Sequence, residues 1–309
     1  MHSKKVVVTG GAGFIGSNLA MELSKRYRVT VIDNLSTGKL ENITHIPNID
    51  FVEGSITNLG LLKNAFEGAE CIFHEAALPS VQRSVDDPIA SNSANVDGTL
   101  NVLVAARDCG AKKVVYASSS SVYGDTPTLP KREDMKPNPK SPYAVSKLAS
   151  EYYARIFSEI YGLNTVCLRY FNVFGPRQDP KSEYAAVIPI FISRIKEGKS
   201  PVIFGDGNQT RDFTFVQDVV KANILAMENE PSEGVFNIAC ERRTSLNQLA
   251  RQIMDIMGFK ADLIYDKPRL GDVKDSLADI TAARRELNYE PEYDLNMGLI
   301  ETIKWFERK

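Results

Sequence analysis

An α/β fold, a doubly wound parallel sheet with a smaller C-terminal α/β unit, is what this 309-residue sequence predicts. Three observations carry the prediction. Short apolar runs alternate with helical patterns through the first half of the chain, as in a parallel sheet covered by helices on both faces. A glycine-rich loop, Gly10-Gly11-Ala12-Gly13-Phe14-Ile15-Gly16, joins the first strand to the first helix. Beyond Asn172 the punctuation changes, and Gly175-Pro176, Asp179-Pro180, Gly198, Pro201 and Gly205-Asp206-Gly207 mark a looser region.

Strands are expected over residues 6–9, 29–33, 50–52, 71–74, 113–118 and 165–170. The first is Val6-Val7-Val8-Thr9, and Ser17-Asn18-Leu19-Ala20-Met21-Glu22-Leu23 reads as the helix behind its glycine loop. The second strand ends in Asp33. Ser141-Pro142 is a helix start, serine as cap and proline in the first turn, and the pattern runs to Tyr161 and stops at Gly162. Residues 218–227 read as a helix and 234–239 as a strand rejoining the main sheet. A helix is expected over 244–257, opened by Ser245-x-x-Gln248 in the form of a capping box. The chain thus divides into a larger unit, residues 1–174 with 212–240 rejoining it, and a second unit of 175–211 with 241–309.

Composition narrows the function classes. Hydrophobic residues at 43% and charged residues at 25% describe a soluble globular chain able to bury a sizeable core. Lys+Arg 37 against Asp+Glu 39 leaves no basic excess, which argues against nucleic acid or an anionic membrane as partner. Cys71, Cys109, Cys167 and Cys240 are far apart without CxxC spacing, so free thiols in a reducing compartment are expected. No His/Cys/Asp cluster has metal-ligand spacing, and no apolar run approaches a membrane span. With the first strand so close to the N-terminus, no signal peptide and a cytoplasmic location are expected.

The glycine loop reads either as Gly11-x-Gly13-x-x-Gly16 or as Gly10-x-x-Gly13-x-x-Gly16. Between a strand and a helix it lets backbone approach a pyrophosphate, with the positive end of the helix aimed at that anion. Asp33 lies where a carboxylate would accept from an adenosine ribose 2′-OH and repel a 2′-phosphate; the next residue, Asn34, is not the arginine a 2′-phosphate would want. NAD is therefore favoured over NADP. Tyr143 and Lys147 are four apart and share one helix face, where an ammonium can lower the phenol pKa and leave tyrosine a usable base.

These motifs, with His74-Glu75-Ala76-Ala77, Asn95-Val96-Asp97-Gly98-Thr99, Ser118-Ser119-Ser120-Ser121-Val122-Tyr123-Gly124, Arg169-Tyr170-Phe171-Asn172-Val173-Phe174-Gly175-Pro176, Arg211-Asp212-Phe213 and Arg269-Leu270-Gly271-Asp272-Val273, resemble a known family. Over essentially its whole length the chain is similar to the extended short-chain dehydrogenase/reductases, which have a Rossmann-like fold. Within them it resembles the UDP-hexose 4-epimerases, nearest those acting on UDP-N-acetylglucosamine. The resemblance implies C4 epimerisation of a UDP-hexose through a 4-keto intermediate, with UDP-GlcNAc and UDP-GalNAc interconverted. UDP-glucose/UDP-galactose or UDP-glucuronate epimerisation is the alternative, and a non-catalytic NAD-binding module of the same fold a remote one. A 4,6-dehydratase is disfavoured, since Ser119 is followed by Ser120 and Ser121 rather than an acidic pair.

It also implies roles. Tyr143 is the acid/base, Lys147 holds the nicotinamide ribose, and Ser119 bonds the sugar 4-oxygen. Cofactor contacts are implied for Gly10, Gly13, Phe14, Ile15, Gly16, Asp33 and Asn34. Ser36, Thr37, Gly38, Ser55 and Ile56 continue them, with Ser55 standing where the family usually has an aspartate. Ala76, Ala77, Leu78, Asn95, Ser118, Tyr170 and Val173 complete the set, and His74 is read as structural, closing the cofactor pocket. Substrate contacts are implied for Ser80, Ser120, Asn172, Gln178, Ala186, Val187, Ile188, Val202 and Phe204. Arg211, Arg269 and Asp272 are implied as the diphosphate and ribose clamp, and Ser276 as the opening for a 2-acetamido group. Members usually pair as homodimers, here through helices expected over 96–109 and 143–161.

Overall fold

The computed structural model describes residues 4–180, 186–229, 234–267 and 274–308. The chain begins with β1 (Lys5–Thr9), α1 (Phe14–Leu23), β2 (Arg28–Asp33), β3 (Ile49–Glu53), α2 (Leu59–Phe66) and β4 (Ala69–His74). Short helices α3 (Val81–Asp86) and α4 (Pro88–Asn92) precede α5 (Gly98–Asp108), β5 (Lys113–Ser119), α6 (Pro142–Tyr161) and β6 (Asn164–Tyr170). Elements then shorten to β7 (Val173–Phe174), α7 (Val187–Lys196), β8 (Val202–Phe204), β9 (Thr210–Arg211) and β10 (Thr214–Phe215). Next come α8 (Val216–Glu228), β11 (Gly234–Ile238), β12 (Thr244–Ser245), α9 (Leu246–Ile256), β13 (Ile264–Asp266), α10 (Thr281–Leu287) and α11 (Leu295–Glu307).

Seven strands form one parallel sheet in the order β11-β6-β5-β4-β1-β2-β3. Chain direction reverses at β1, so the carboxyl ends of β1 and β4 border a crevice, the place where open α/β sheets bind ligands. Alternate side chains of β1 feed opposite faces. Val6 and Val8 pack with Leu19 and Leu23, while Val7 packs with Leu62, Phe66 and Leu103. A third core, holding Phe174, Phe191, Phe213, Phe215, Leu249 and Leu299, lies under the shorter elements.

Local chemistry fixes the helix that matters most. Ser141 Oγ accepts from the Ala144 N–H at 3.1 Å, Pro142 fills the first turn, and Gly162 closes α6 at φ +68°. The capping box of α9 forms as expected, Gln248 N–H to Ser245 Oγ at 3.2 Å and Ser245 N–H to Gln248 Oε1 at 2.9 Å. That helix starts at Leu246 rather than 244, because Thr244–Ser245 pairs antiparallel with β9. The helix expected from 96 starts at Gly98, after a π-turn over Ser93–Asp97.

Candidate active site

The glycine loop crosses the crevice in a conformation that side chains would block. Gly10 has φ +69°, and a Cβ there would lie 2.6 Å from the Ala76 nitrogen; one on Gly16 would lie 2.2 Å from the Gly10 oxygen. Gly10, Gly13 and Gly16 line a cleft of about 380 Å³, whereas Gly11 packs back on Val31. Of the two readings of the loop, Gly10-x-x-Gly13-x-x-Gly16 is the one that faces the cleft. Gly13 caps α1 without a side chain, so the first N–H groups of α1 are left for an anion.

At the end of β2, Asp33 receives Ala12 N–H at 3.0 Å on Oδ2 and Leu35 N–H at 2.8 Å on Oδ1. Burial pushes its pKa up, and these two amides work against that. Phe14, Ile15, Asn34, Ser36, Thr37, Ser55, Ile56, Ala76, Ala77 and Leu78 line the cleft as expected. Gly38 and Asn95 support it from outside. A Cβ on Gly38 would meet Asp33 Oδ2 at 2.8 Å, and buried Asn95 accepts from Leu78 N–H at 2.8 Å while donating to Ser146 Oγ at 3.0 Å. His74 does not line the cleft. It braces β4 against β1 and α5 through Thr9 Oγ1 (2.7 Å) and Thr99 Oγ1 (2.9 Å), and burial holds its pKa down to about 3.

The other end of the cleft is lined by Glu75, Ser118, Tyr143, Lys147 and Tyr170. Lys147 is 3% exposed and donates to the Ala117 carbonyl at 2.7 Å. Burial brings its pKa down to about 8, opposed by Glu75 and Glu151. Burial pushes the Tyr143 phenol up, and its hydrogen bond with Ser119 opposes the rise. The net direction is upward, where the spacing to Lys147 had suggested a lowering. The ammonium is tethered to Ala117 with acidic groups on either side, and lies 5.9 Å from the Tyr143 ring centre. Ser119 Oγ also accepts from Ser121 N–H at 3.2 Å, where β5 turns into the short helix Ser120–Tyr123.

A second cavity of about 270 Å³ is lined by Asn172, Ala186, Val187, Ile188, Val202, Phe204 and Arg211, all expected around substrate. Val173, expected at the cofactor, lines this cavity instead. Two residues beyond Tyr170, the chain has turned at Asn172 (φ +35°) into β7 and away from the cleft. Arg211 donates to the carbonyls of Thr210 (2.9 Å) and Lys274 (3.2 Å).

Other substrate expectations fall outside both cavities. Ser80 caps α3 by accepting from Arg83 N–H, at φ +106°. Gln178 donates to the Val173 carbonyl at 3.2 Å. The half-buried Ser276 gives its N–H to the Thr210 carbonyl at 3.1 Å, next to Arg211. Arg269 and Asp272 lie outside the described residues.

Among the lining residues that were not expected, two carry polar side chains, Gln209 and Glu75. Gln209 precedes β9 and, like Arg211, lines the second cavity, with its amide donating to the Phe204 carbonyl at 2.7 Å. Glu75 follows β4, and its Oε1 accepts from Tyr170 OH at 2.8 Å. Burial pushes its pKa up to about 7, against Tyr170 and Lys147.

Residues 6–239 match the NAD dependent epimerase/dehydratase family. The chain belongs to that family. A curated relative from Methanocaldococcus jannaschii, named putative UDP-glucose 4-epimerase, is 43% identical over 98% of each chain. Among solved structures, a UDP-N-acetylglucosamine 4-epimerase from Methanobrevibacter ruminantium M1, in complex with UDP-N-acetylmuramic acid, is 44% identical. It superposes with a TM-score of 0.96 over 100% of this chain and 99% of that one. A UDP-glucose 4-epimerase from Thermotoga maritima with UDP-glucose is 41% identical, with a TM-score of 0.94 over 98% and 99%.

The donor set of the cleft fits the dinucleotide that the family uses. The side-chain-free lane of Gly10, Gly13 and Gly16 leaves room for a pyrophosphate, and Asp33 stands at one end. Lys147 and Tyr143 stand at the other.

Proposed function

We propose that this chain is an NAD-dependent UDP-sugar 4-epimerase that interconverts UDP-GlcNAc and UDP-GalNAc. The observation that carries the reaction class is the placement of Tyr143 and Lys147 on one face of α6, at the end of the cleft opposite Asp33. Membership of the family and the three relatives support it.

NAD, when bound, supplies a hydride acceptor that is regenerated within each cycle. The chain's residues do the rest. Tyr143, bonded to Ser119, takes the proton of the sugar 4-OH and later returns it. Lys147 holds the nicotinamide ribose, and Asp33 the adenosine ribose. The α1 N-terminus faces the pyrophosphate. In the second cavity Asn172 and Arg211 hold the diphosphate, and the apolar wall of Val187, Ile188, Val202 and Phe204 holds the uridine end. On this reading residues 1–174 with 212–240 bind the cofactor, and 175–211 with 241–309 hold the UDP-sugar.

The choice of sugar rests on Ser276, a small side chain beside Arg211, and on the Methanobrevibacter relative. The second reading, a plain UDP-hexose, is favoured by the Thermotoga relative and its UDP-glucose. Incubating the purified protein with each UDP-hexose in turn, without added NAD, and separating the products decides between them. Overpacking a fitted site costs about 1–3 kcal/mol, so Ser276→Tyr is expected to cut kcat/KM for the acetylated pair at least about tenfold. The plain pair is spared. Equal losses on both pairs would remove Ser276 as the size gate.

We further propose a homodimer. Exposed Val145, Tyr152, Ile156 and Ile160 on α6 lie with Val81, Val85 and Ile89 of the adjoining α3 and α4. The apolar surface thus draws more on α3 and α4 than on α5, whose Leu100 and Val104 pack inward. Free thiols at Cys71, Cys109, Cys167 and Cys240 fit the reducing conditions of the cytoplasm.

A further inference from the structure

Among the described residues, Glu75 is the one acidic side chain lining the cleft at its Tyr143–Lys147 end. It follows β4, on the side of the sheet that leads to β5 and β6, and so lies away from the Asp33 end. Its hydrogen bonds are ordered by its neighbours. Asn223 Nδ2 donates to Tyr170 OH at 2.7 Å, so the Tyr170 proton is committed to Glu75 Oε1 at 2.8 Å. Oε2 has no partner among the described residues, and the half-buried side chain lines the cleft. Tyr170 therefore points the carboxyl while leaving one oxygen for whatever occupies the nicotinamide end.

The charged and titratable groups facing Glu75 are few. Lys147 comes from α6, Tyr170 from β6 and Tyr143 from the start of α6, while His74 beneath is held neutral by burial. Lys147 is the only cation among them. An ammonium alone at this end would repel an oxidised nicotinamide, which is cationic, and not a reduced one, which is neutral. A carboxylate reverses that preference.

We propose that Glu75 is a cofactor-poising residue, whose ionised carboxyl makes the cleft hold the oxidised dinucleotide more tightly than the reduced one. The inference rests on the reading of the cleft as an NAD site but not on which sugar is turned over. An enzyme that must end every cycle with its cofactor oxidised gains from such a bias, because hydride is driven back onto the 4-keto sugar. The bias depends on ionisation. With the Glu75 pKa raised to about 7 by burial, the carboxyl is charged above that pH and neutralised as pH falls through it. A bound cation draws the titration lower, so the preference for the oxidised form fades between about pH 7 and pH 6.

The test needs no substrate. Holoenzyme is equilibrated with fixed mixtures of free NAD⁺ and NADH from about pH 6 to pH 9, desalted, and its bound NADH read by absorbance at 340 nm. Taking the ratio of Glu75→Gln to wild type at each pH removes what the two proteins titrate in common. The expectation is that Glu75→Gln holds about tenfold more NADH relative to NAD⁺ at pH 9, with the two proteins within about twofold at pH 6. Tyr170→Phe, which keeps the carboxyl but removes its donor, is expected to shift the wild-type transition to higher pH. It also supplies the test should Glu75→Gln fail to keep its cofactor. Identical partition in the proteins at every pH, or an offset that persists undiminished at pH 6, overturns the proposal.

Discussion

Replacing Glu151 with methionine tests what holds the catalytic helix to the sheet. Glu151 lies four residues beyond Lys147 and eight beyond Tyr143, on the same face of α6. Its Oε1 accepts from Arg169 Nε at 2.9 Å, its Oε2 from Arg169 Nη2 at 2.7 Å, and Ser118 Oγ donates to Oε1 as well. The pair is 3% and 4% exposed, so water cannot take over when one partner is lost. Stranding the Arg169 charge should cost about 3–5 kcal/mol. At about 2.1 cal/mol/K per residue, 309 residues unfold with an entropy near 0.65 kcal/mol/K, which converts that cost to a fall in Tm of about 5–8 °C. Differential scanning calorimetry at fixed NAD excess measures it, the excess holding the ligand contribution constant. The double variant Glu151→Met/Arg169→Met strands no charge and loses only neutral partners at Ser118 and Tyr123, about 1 kcal/mol each, so it should melt above the single variant. A single variant within about 2 °C of wild type, or a double that melts below both singles, would refute the argument.

Tyr143→Phe keeps the cleft and removes the proton carrier, so kcat should fall by about 10²–10⁴ with UDP-sugar affinity unchanged by calorimetric titration; retained turnover would mean that another group moves the proton. Gly16→Ala places a methyl 2.2 Å from the Gly10 carbonyl oxygen, and the purified variant should yield little NAD on denaturation. Ile160→Glu puts a charge on the exposed apolar face of α6, where Ile160 is 66% exposed, and should convert a dimer to a monomer by analytical ultracentrifugation while leaving the monomer Tm within about 2 °C.

The main sheet was legible because its central strands are buried on both faces and read as apolar runs. Each expected strand lies within two residues of its observed bounds, and the run at 234–239 rejoins the main sheet as expected, beside β6. The two- and three-residue strands β7, β8, β9, β10, β12 and β13 carry no periodicity to read. The same contrast holds in the site. The glycine loop and the Tyr143–Lys147 spacing are local patterns, whereas Glu75 matters through Tyr170, 95 residues away. Spacing placed Lys147 on the face of Tyr143 but could not reveal that Ala117 holds its ammonium. Val173 was implied as a cofactor contact by the family resemblance alone, and the turn at Asn172 sends it to the other cavity.

The edge position of β11 has a consequence for the chain during its synthesis. Phe236 and Ile238 complete the core that Val6 and Val8 begin, and β11 covers the outer edge of β6. A ribosome that has delivered the glycine loop, Tyr143 and all of β6 has still to add residues 171–233 before β11, the strand that closes that edge, even begins. At bacterial or eukaryotic elongation rates this takes roughly 3–13 s. Through that interval the backbone of β6 offers unpaired N–H and C=O groups along an apolar strand, the kind of edge that recruits a second chain. Truncated products that stop before β11 should therefore aggregate even though they contain every residue of the acid/base machinery.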